Sequence, residues 1–159
     1  MNETLYAYFY ETPFGKIWIA DNGKAITNVF FWKTIQPEHY TIQETPLIKK
    51  ASQQLLEYCN GTRTDFQLPY HLEGTPFQRK VRTALQTIPF WETRSYKEIA
   101  QQIWHPKAYR AVGMTNKINP IAIFIPCHRV IGANGHLVGF AGGLPMKQKL
   151  LQFENAVAC

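Results

Sequence analysis

The sequence predicts an α+β fold in two parts. An N-terminal α/β half with a small antiparallel sheet occupies residues 1–73, and a helix-turn-helix followed by a wing occupies residues 74–159. Three observations carry this. The first third alternates aromatic and β-branched runs with tight-turn residues. Two Thr-Pro pairs and a Ser-x-x-Glu box mark helix starts. The charge balance changes sign just after a Pro/Gly-bounded stretch, Pro69 to Gly74.

Leu5–Tyr10 and Lys16–Ala20 read as strands, separated by the turn Thr12-Pro13-Phe14-Gly15. Asp21-Asn22-Gly23 is a hairpin signal, because Asn and Gly tolerate positive φ, and Ile26–Trp32 is a third strand. Residues 33–45 read as loop. Thr45-Pro46 caps a helix with Leu47, Ile48, Ala51, Leu55 and Leu56 on its apolar side, ending near Asn60-Gly61. A short extended piece at Phe66–Leu68 closes this half.

Thr75-Pro76 opens the next helix, with Phe77, Val81 and Leu85 inward and Arg79, Lys80 and Arg82 mostly outward. Ser95-Tyr96-Lys97-Glu98 fits a capping box, in which hydroxyl and carboxylate each satisfy a backbone donor. That helix runs through Ile99, Ala100 and Ile103 to His105-Pro106, and a second runs from Lys107 to about Thr115. Two short helices across a tight turn suggest a helix-turn-helix. Ile121–Ile125 is an apolar, β-rich run of strand size, Ile131–Phe140 carries another Asn-Gly hairpin signal at Asn134-Gly135, and Pro145 starts a last helix. A hairpin behind a helix-turn-helix suggests the wing.

The chain has 159 residues, 45% of them apolar, enough for one or two compact domains. No apolar run approaches the ~20 residues of a membrane helix. Met1-Asn2-Glu3-Thr4 lacks a secretory pattern, so a cytoplasmic location is expected. Residues 1–74 hold six Lys/Arg against eight Asp/Glu, whereas residues 75–159 hold eleven against three. A basic half on a mildly acidic one suggests a polyanion partner, nucleic acid first, although a merely solvated basic face has the same composition. Three cysteines, Cys59, Cys127 and Cys159, without a Cys-x-x-Cys pair argue against a disulfide framework or a cysteine zinc site.

Chemistry concentrates in Ile125-Pro126-Cys127-His128-Arg129-Val130. His and Arg beside a cysteine make a positive field that favours thiolate, the nucleophilic form. A buried inert cysteine with basic neighbours is the plainer alternative. The pentapeptide Pro126–Val130 resembles the acceptor-cysteine motif of the O6-alkylguanine-DNA alkyltransferases. Further blocks match that family in order and spacing: Gly74-Thr75-Pro76-Phe77-Gln78, Ser95-Tyr96-x-x-Ile99-Ala100, Pro106-x-Ala108-x-Arg110-Ala111-Val112-Gly113, Asn119-Pro120, Gly142-Gly143-Leu144, and Lys147 through Glu154.

The resemblance implies a ribonuclease H-like N-terminal domain and a base-flipping DNA-repair activity that moves an alkyl group to the protein's own cysteine. It implies Cys127 as nucleophile, His128 as the base acting through a water, Glu154 as the carboxylate that orients it, and Asn119 as the residue ordering the cysteine turn. Tyr96 would donate to N3 of the flipped guanine. The carbonyls of Cys127 and Val130 would accept from the exocyclic amine, and Phe140 and the amide of Ala141 would complete the base pocket. Arg110 would fill the gap left in the duplex, with Ser95 and the small residues Ala108, Ala111 and Gly113 admitting DNA by its minor groove. O6-alkylguanine, and O4-methylthymine besides, are the implied substrates; a monomer without metal or cofactor is expected.

Departures from the family pattern are Phe140 for a usual tyrosine, Trp91 and Trp104 for usual glycines, Arg82 for a usual tryptophan, and Tyr109 for a usual small residue. Two other readings stay open on sequence: a non-catalytic damage sensor or winged-helix regulator, and a cysteine hydrolase.

Overall fold

The computed structural model describes residues 3–31, 37–132, 135, 139–140 and 142–158. It divides into two compact units, 1–71 and 72–159.

In the first unit, strands β1 (Tyr6–Thr12), β2 (Gly15–Asp21) and β3 (Ile26–Phe31) form an antiparallel meander. Asn22 holds the β2–β3 turn, its side-chain oxygen accepting from the amides of Lys24 and Ala25 at 3.0 and 2.9 Å. The expected loop carries structure of its own. A 3₁₀ turn (Pro37–His39) leads to a two-residue strand, β4 (Thr41–Ile42), which runs parallel to β1, so the sheet is mixed, in the order β3-β2-β1-β4. The exposed β4 side chains give no alternating pattern by which sequence could place it.

Helix α1 (Pro46–Cys59) packs on β1 and β2 with Ile48, Ala51, Leu55 and Tyr58 buried. The Thr45 hydroxyl caps it and donates to Asp21 Oδ2 at 2.6 Å, both groups buried. Phe66–Leu68 is not a strand. The extended contact comes later, where Tyr70 bridges Ile26 and the Ile26 amide donates to the Pro69 carbonyl at 2.8 Å.

The second unit begins with α2 (Pro76–Leu85), started by a Thr75/Gln78 capping box. Gly74 has to be glycine: its φ is +109°, and a Cβ there would lie 2.2 Å from Gln78 Oε1, the acceptor of that box. Arg82, expected on the outer side, is buried and donates to the Glu73 carbonyl. Strand β5 (Arg94–Ser95) leads into α3 (Tyr96–Gln102), whose Ser95/Glu98 capping box forms as the spacing requires. Helix α4 (Tyr109–Lys117) follows, and α2, α3 and α4 pack on one another.

The apolar run Ile121–Ile125 is buried but is not a strand. Asn119 captures it. Its Oδ1 accepts from the Ile121 amide at 3.1 Å and its Nδ2 donates to the Ile125 carbonyl at 2.9 Å, bonds that replace ladder pairing. Strand β6 (Val130–Ile131) then pairs parallel with β5, and α5 (Leu144–Ala158) ends the unit. The expected hairpin over Ile131–Phe140 lies largely outside the described residues, as do Ala141 and Cys159.

Candidate active site

Two successive γ-turns deliver the cysteine. The Phe124 amide donates to the Ala122 carbonyl at 2.8 Å around Ile123, whose φ of +70° is rare for a β-branched residue. The Cys127 amide donates to the Ile125 carbonyl at 2.7 Å around Pro126, whose ring fixes the φ this turn needs. Such a left-handed residue costs about 1–3 kcal/mol and persists where surroundings over-determine it. Here the Asn119 amide pins both ends of the loop. Residues Cys127–Arg129 complete a 3₁₀ turn with all three side chains buried.

Cys127 is 1% exposed. Burial pushes its thiol up to about 11, against the opposing pull of the Asn119 amide and the Lys147 charge. The positive field read from sequence on His128 and Arg129 comes instead from Lys147; it loses to desolvation, and the resting group is a thiol. His128 is lowered, chiefly by burial and further by Arg129 and Lys147, although Glu154 pulls the other way. It is neutral at physiological pH. Its Nε2 meets Glu154 Oε2 at 2.5 Å, and its buried Nδ1 has no partner among the described residues. With Nε2–H donated to the carboxylate, Nδ1 is the open proton acceptor.

Glu154, which in isolation reads as an exposed helix carboxylate, is fully buried. Arg129 grips it with two donors, Nε to Oε1 at 2.9 Å and a terminal nitrogen to Oε2 at 3.1 Å, and donates besides to the Ile88 carbonyl at 2.8 Å. The Trp91 amide also donates to Oε1, at 3.1 Å. Burial pushes this carboxyl up, but the hydrogen bonds from His128 and Arg129 and the Arg129 charge outweigh it and hold the group well below the usual carboxylate range.

Tyr96 opens α3 beside this turn, because β5 pairs with β6 in register Ser95 to Ile131. Burial raises its hydroxyl, ionisation of Cys127 would raise it further, and a hydrogen bond with Asn116 partly opposes. It stays protonated and able to donate. Gly113 of α4 faces its ring: a Cβ there would sit 3.8 Å from the Tyr96 ring carbons. Val130 and Phe140 are buried. The Val130 carbonyl accepts from Lys147 Nζ at 2.5 Å and the Cys127 carbonyl from Asn116 Nδ2 at 3.2 Å, so buried side chains fix both.

Of the expected site residues, Cys127, His128, Glu154, Asn119, Tyr96, Val130 and Phe140 lie in or beside this cluster or in the buried core. Arg110 and Ala111 lie exposed on α4, whose N-cap residue Ala108 makes no side-chain cap. Ser95 is engaged as the α3 cap. Sequence reasoning gave no role to the Arg129 clamp, the Trp91 amide, Lys147 or Asn116. One signal was available: Lys147, Leu150 and Glu154 recur at i, i+3, i+7 on α5, and a Lys and a Glu on that buried stripe need buried partners.

Two family models cover the chain. The 6-O-methylguanine DNA methyltransferase ribonuclease-like domain matches residues 5–72, and the DNA binding domain of the same family matches residues 76–156. The constitutive methylated-DNA–protein-cysteine methyltransferase of Bacillus subtilis is 47% identical over 154 residues, covering 91% of this chain and 92% of that protein. The Methanosarcina acetivorans methylated-DNA–protein-cysteine methyltransferase is 43% identical, covering 96% and 99%. Among solved structures, Mycobacterium tuberculosis O6-methylguanine methyltransferase superposes with TM-score 0.90 at 43% identity, covering 98% of this chain and 96% of that one. The same protein in complex with DNA gives 0.89 at 43% identity, covering 96% and 94%. With the buried Cys–His–Glu cluster in place and both halves matched by family models, the chain belongs to the 6-O-methylguanine DNA methyltransferase family.

Proposed function

We propose that this chain repairs DNA by transferring the alkyl group of O6-alkylguanine, and of O4-methylthymine, to Cys127. One observation carries the reading: a neutral buried imidazole whose Nε2 is given to Glu154 and whose Nδ1 is left to accept a proton beside a protonated thiol. His128 takes the thiol proton through a bridging water as sulfur attacks the alkyl carbon. The carbon–O6 bond breaks, a thioether forms, and the electron pair returns to the base. Tyr96 supplies a proton toward N3 as charge develops there, and the proton held on His128 restores the balance. The Glu154 carboxylate stabilises the transient imidazolium. A thioether has no ready leaving group, so each molecule acts once.

Residues 74–159 are the DNA-binding and acceptor domain in this reading, and residues 1–73 the scaffold. Arg110 takes the gap left by the flipped base, Ala108 and Ala111 keep the start of α4 slim for the minor groove, and Gly113 lets the Tyr96 ring lie close against α4. Ser95, its hydroxyl committed to the α3 cap, contributes at the backbone. Phe140, Val130 and Ala141 complete the base pocket. No helix among the described residues is long and apolar enough to cross a membrane. A nucleophilic thiol that must stay reduced, with DNA as substrate, supports a cytoplasmic location, and the protein acts as a monomer.

The test is a duplex carrying O6-methylguanine followed by peptide mass analysis. One added methylene on the Cys127 peptide, absent in Cys127→Ala, is expected. An unmodified wild-type peptide overturns the assignment.

A further inference from the structure

Trp104 is out of place on two independent counts. Its φ is +65°, and it occupies the glycine position of a helix C-cap: the His105 amide donates to the Ala100 carbonyl at 2.9 Å and the Trp104 amide to the Gln101 carbonyl at 3.1 Å, the paired bonds that end α3. It is also 89% exposed, so no burial offsets the strain. A bulky residue held in this conformation without packing is a candidate for contact with something outside the chain.

Its surroundings say what. Trp104 stands between two grooves. One, of about 500 Å³ between α2 and α3, is lined by Arg79, Lys80, Thr83, Thr87 and Gln102. Its wall is braced by Gln102 Nε2 donating to Thr87 Oγ1 at 3.0 Å. The other, of about 450 Å³, runs from Trp104 past Lys107 to Ala108 at the start of α4. Three cations and no acidic side chain line the two grooves among the described residues. Arg79 spends one guanidinium nitrogen on the Gly74 carbonyl at 2.5 Å, which steadies its stem and leaves other donors for an anion.

We propose that these grooves hold an unpaired strand of DNA flanking the duplex gripped by α4, with one base stacked on the Trp104 indole and its phosphates on Lys107, Arg79 and Lys80. The proposal rests on the DNA-repair reading above. A paired duplex keeps its interior base faces stacked on one another and has only its terminal pairs to offer an indole. A single strand presents a π-face and a phosphate at every nucleotide, the two chemistries the grooves display. An acidic peptide matches the charge but leaves the indole unexplained.

The experiment compares the affinity of the full chain for a blunt duplex and for the same duplex bearing a six-nucleotide oligothymidine tail. The tail should tighten binding about tenfold, the size of one stacked base. Trp104→Gly, which places the favoured residue in the cap, should remove most of that ratio, and Trp104→Phe should keep part of it. Arg79→Ala with Lys80→Ala should shrink the ratio and flatten its salt dependence. A tail that gives no tightening, a ratio unchanged in Trp104→Gly, or competition by polyglutamate equal to that by oligothymidylate overturns the proposal. Methyl transfer from a blunt methylated duplex, measured alongside, separates the two readings. Transfer without a tail effect sinks only this inference, and its absence sinks the repair reading itself.

Discussion

Glu154 sits where the Arg129 guanidinium, the neutral His128 imidazole and a backbone amide converge, and this sets the acid behaviour of the whole chain. Because its carboxyl is held well below the usual range, its stabilisation is complete above the ordinary carboxylate pKa of 4.5 and drains as pH falls beneath it. His128 works in the same direction. Its folded pKa lies below the unfolded 6.5, so under pH 6.5 the unfolded chain binds a proton that the folded chain refuses. The urea midpoint should therefore fall from pH 7 to pH 5 and more steeply below. Glu154→Ala should lose about 3–5 kcal/mol at pH 7 by stranding Arg129. A midpoint that is flat from pH 7 to pH 4 would show that this cluster is not closed in solution. At this scale the sequence disclosed the members of the buried cluster, since Cys127, His128 and Glu154 sit in recognisable strings. It did not disclose what holds them. Arg129 read as a field charge and became a clamp, and Trp91 contributes a main-chain amide, which no side-chain pattern can announce.

Helix starts were the most legible elements, because Thr45, Thr75 and Ser95 each carry the cap within four residues of sequence. Helix ends and buried coils were less so. The last turn of α3 closes on Trp104 in a left-handed conformation that composition would assign to glycine, and Ile121–Ile125 has the residues of a strand but the bonds of a loop, because Asn119 lies just upstream. β4 has two exposed residues and no pattern at all. A stability consequence follows for α3. Trp104→Gly should raise thermal stability by about 1 kcal/mol, since it removes a Cβ from the left-handed region and uncovers almost nothing. A lower melting temperature would mean that the indole packs in solution, and would weaken its role as an open stacking surface.

Across the whole molecule, the asymmetry of charge carries the clearest expectation. Residues 75–159 hold eleven Lys/Arg against three Asp/Glu, and two of those cations, Arg129 and Lys147, are buried around Cys127 and Glu154 rather than offered to a ligand. Arg82 is buried as well. The positive surface is therefore smaller than the count suggests and is carried by Arg79, Lys80, Lys97, Lys107, Arg110, Lys117 and Lys149, all exposed, with Arg94 half-buried. Affinity for undamaged duplex should fall on the order of tenfold between 50 and 200 mM salt for each pair of phosphates neutralised, with little dependence on base sequence. Binding that ignores salt would mean that these side chains do not meet the backbone. Composition alone could show the excess of cations, but only packing could show which of them are spent inside.

The depth of Cys127 has a final consequence. A reagent that works once has to survive the wait. Peroxide and soluble electrophiles attack accessible thiolate, and this sulfur is both inaccessible and held as thiol. In the proposed reaction, burial that slows Cys127 at rest also lengthens its shelf life, so that it is consumed by lesions and not by the redox chemistry of its surroundings.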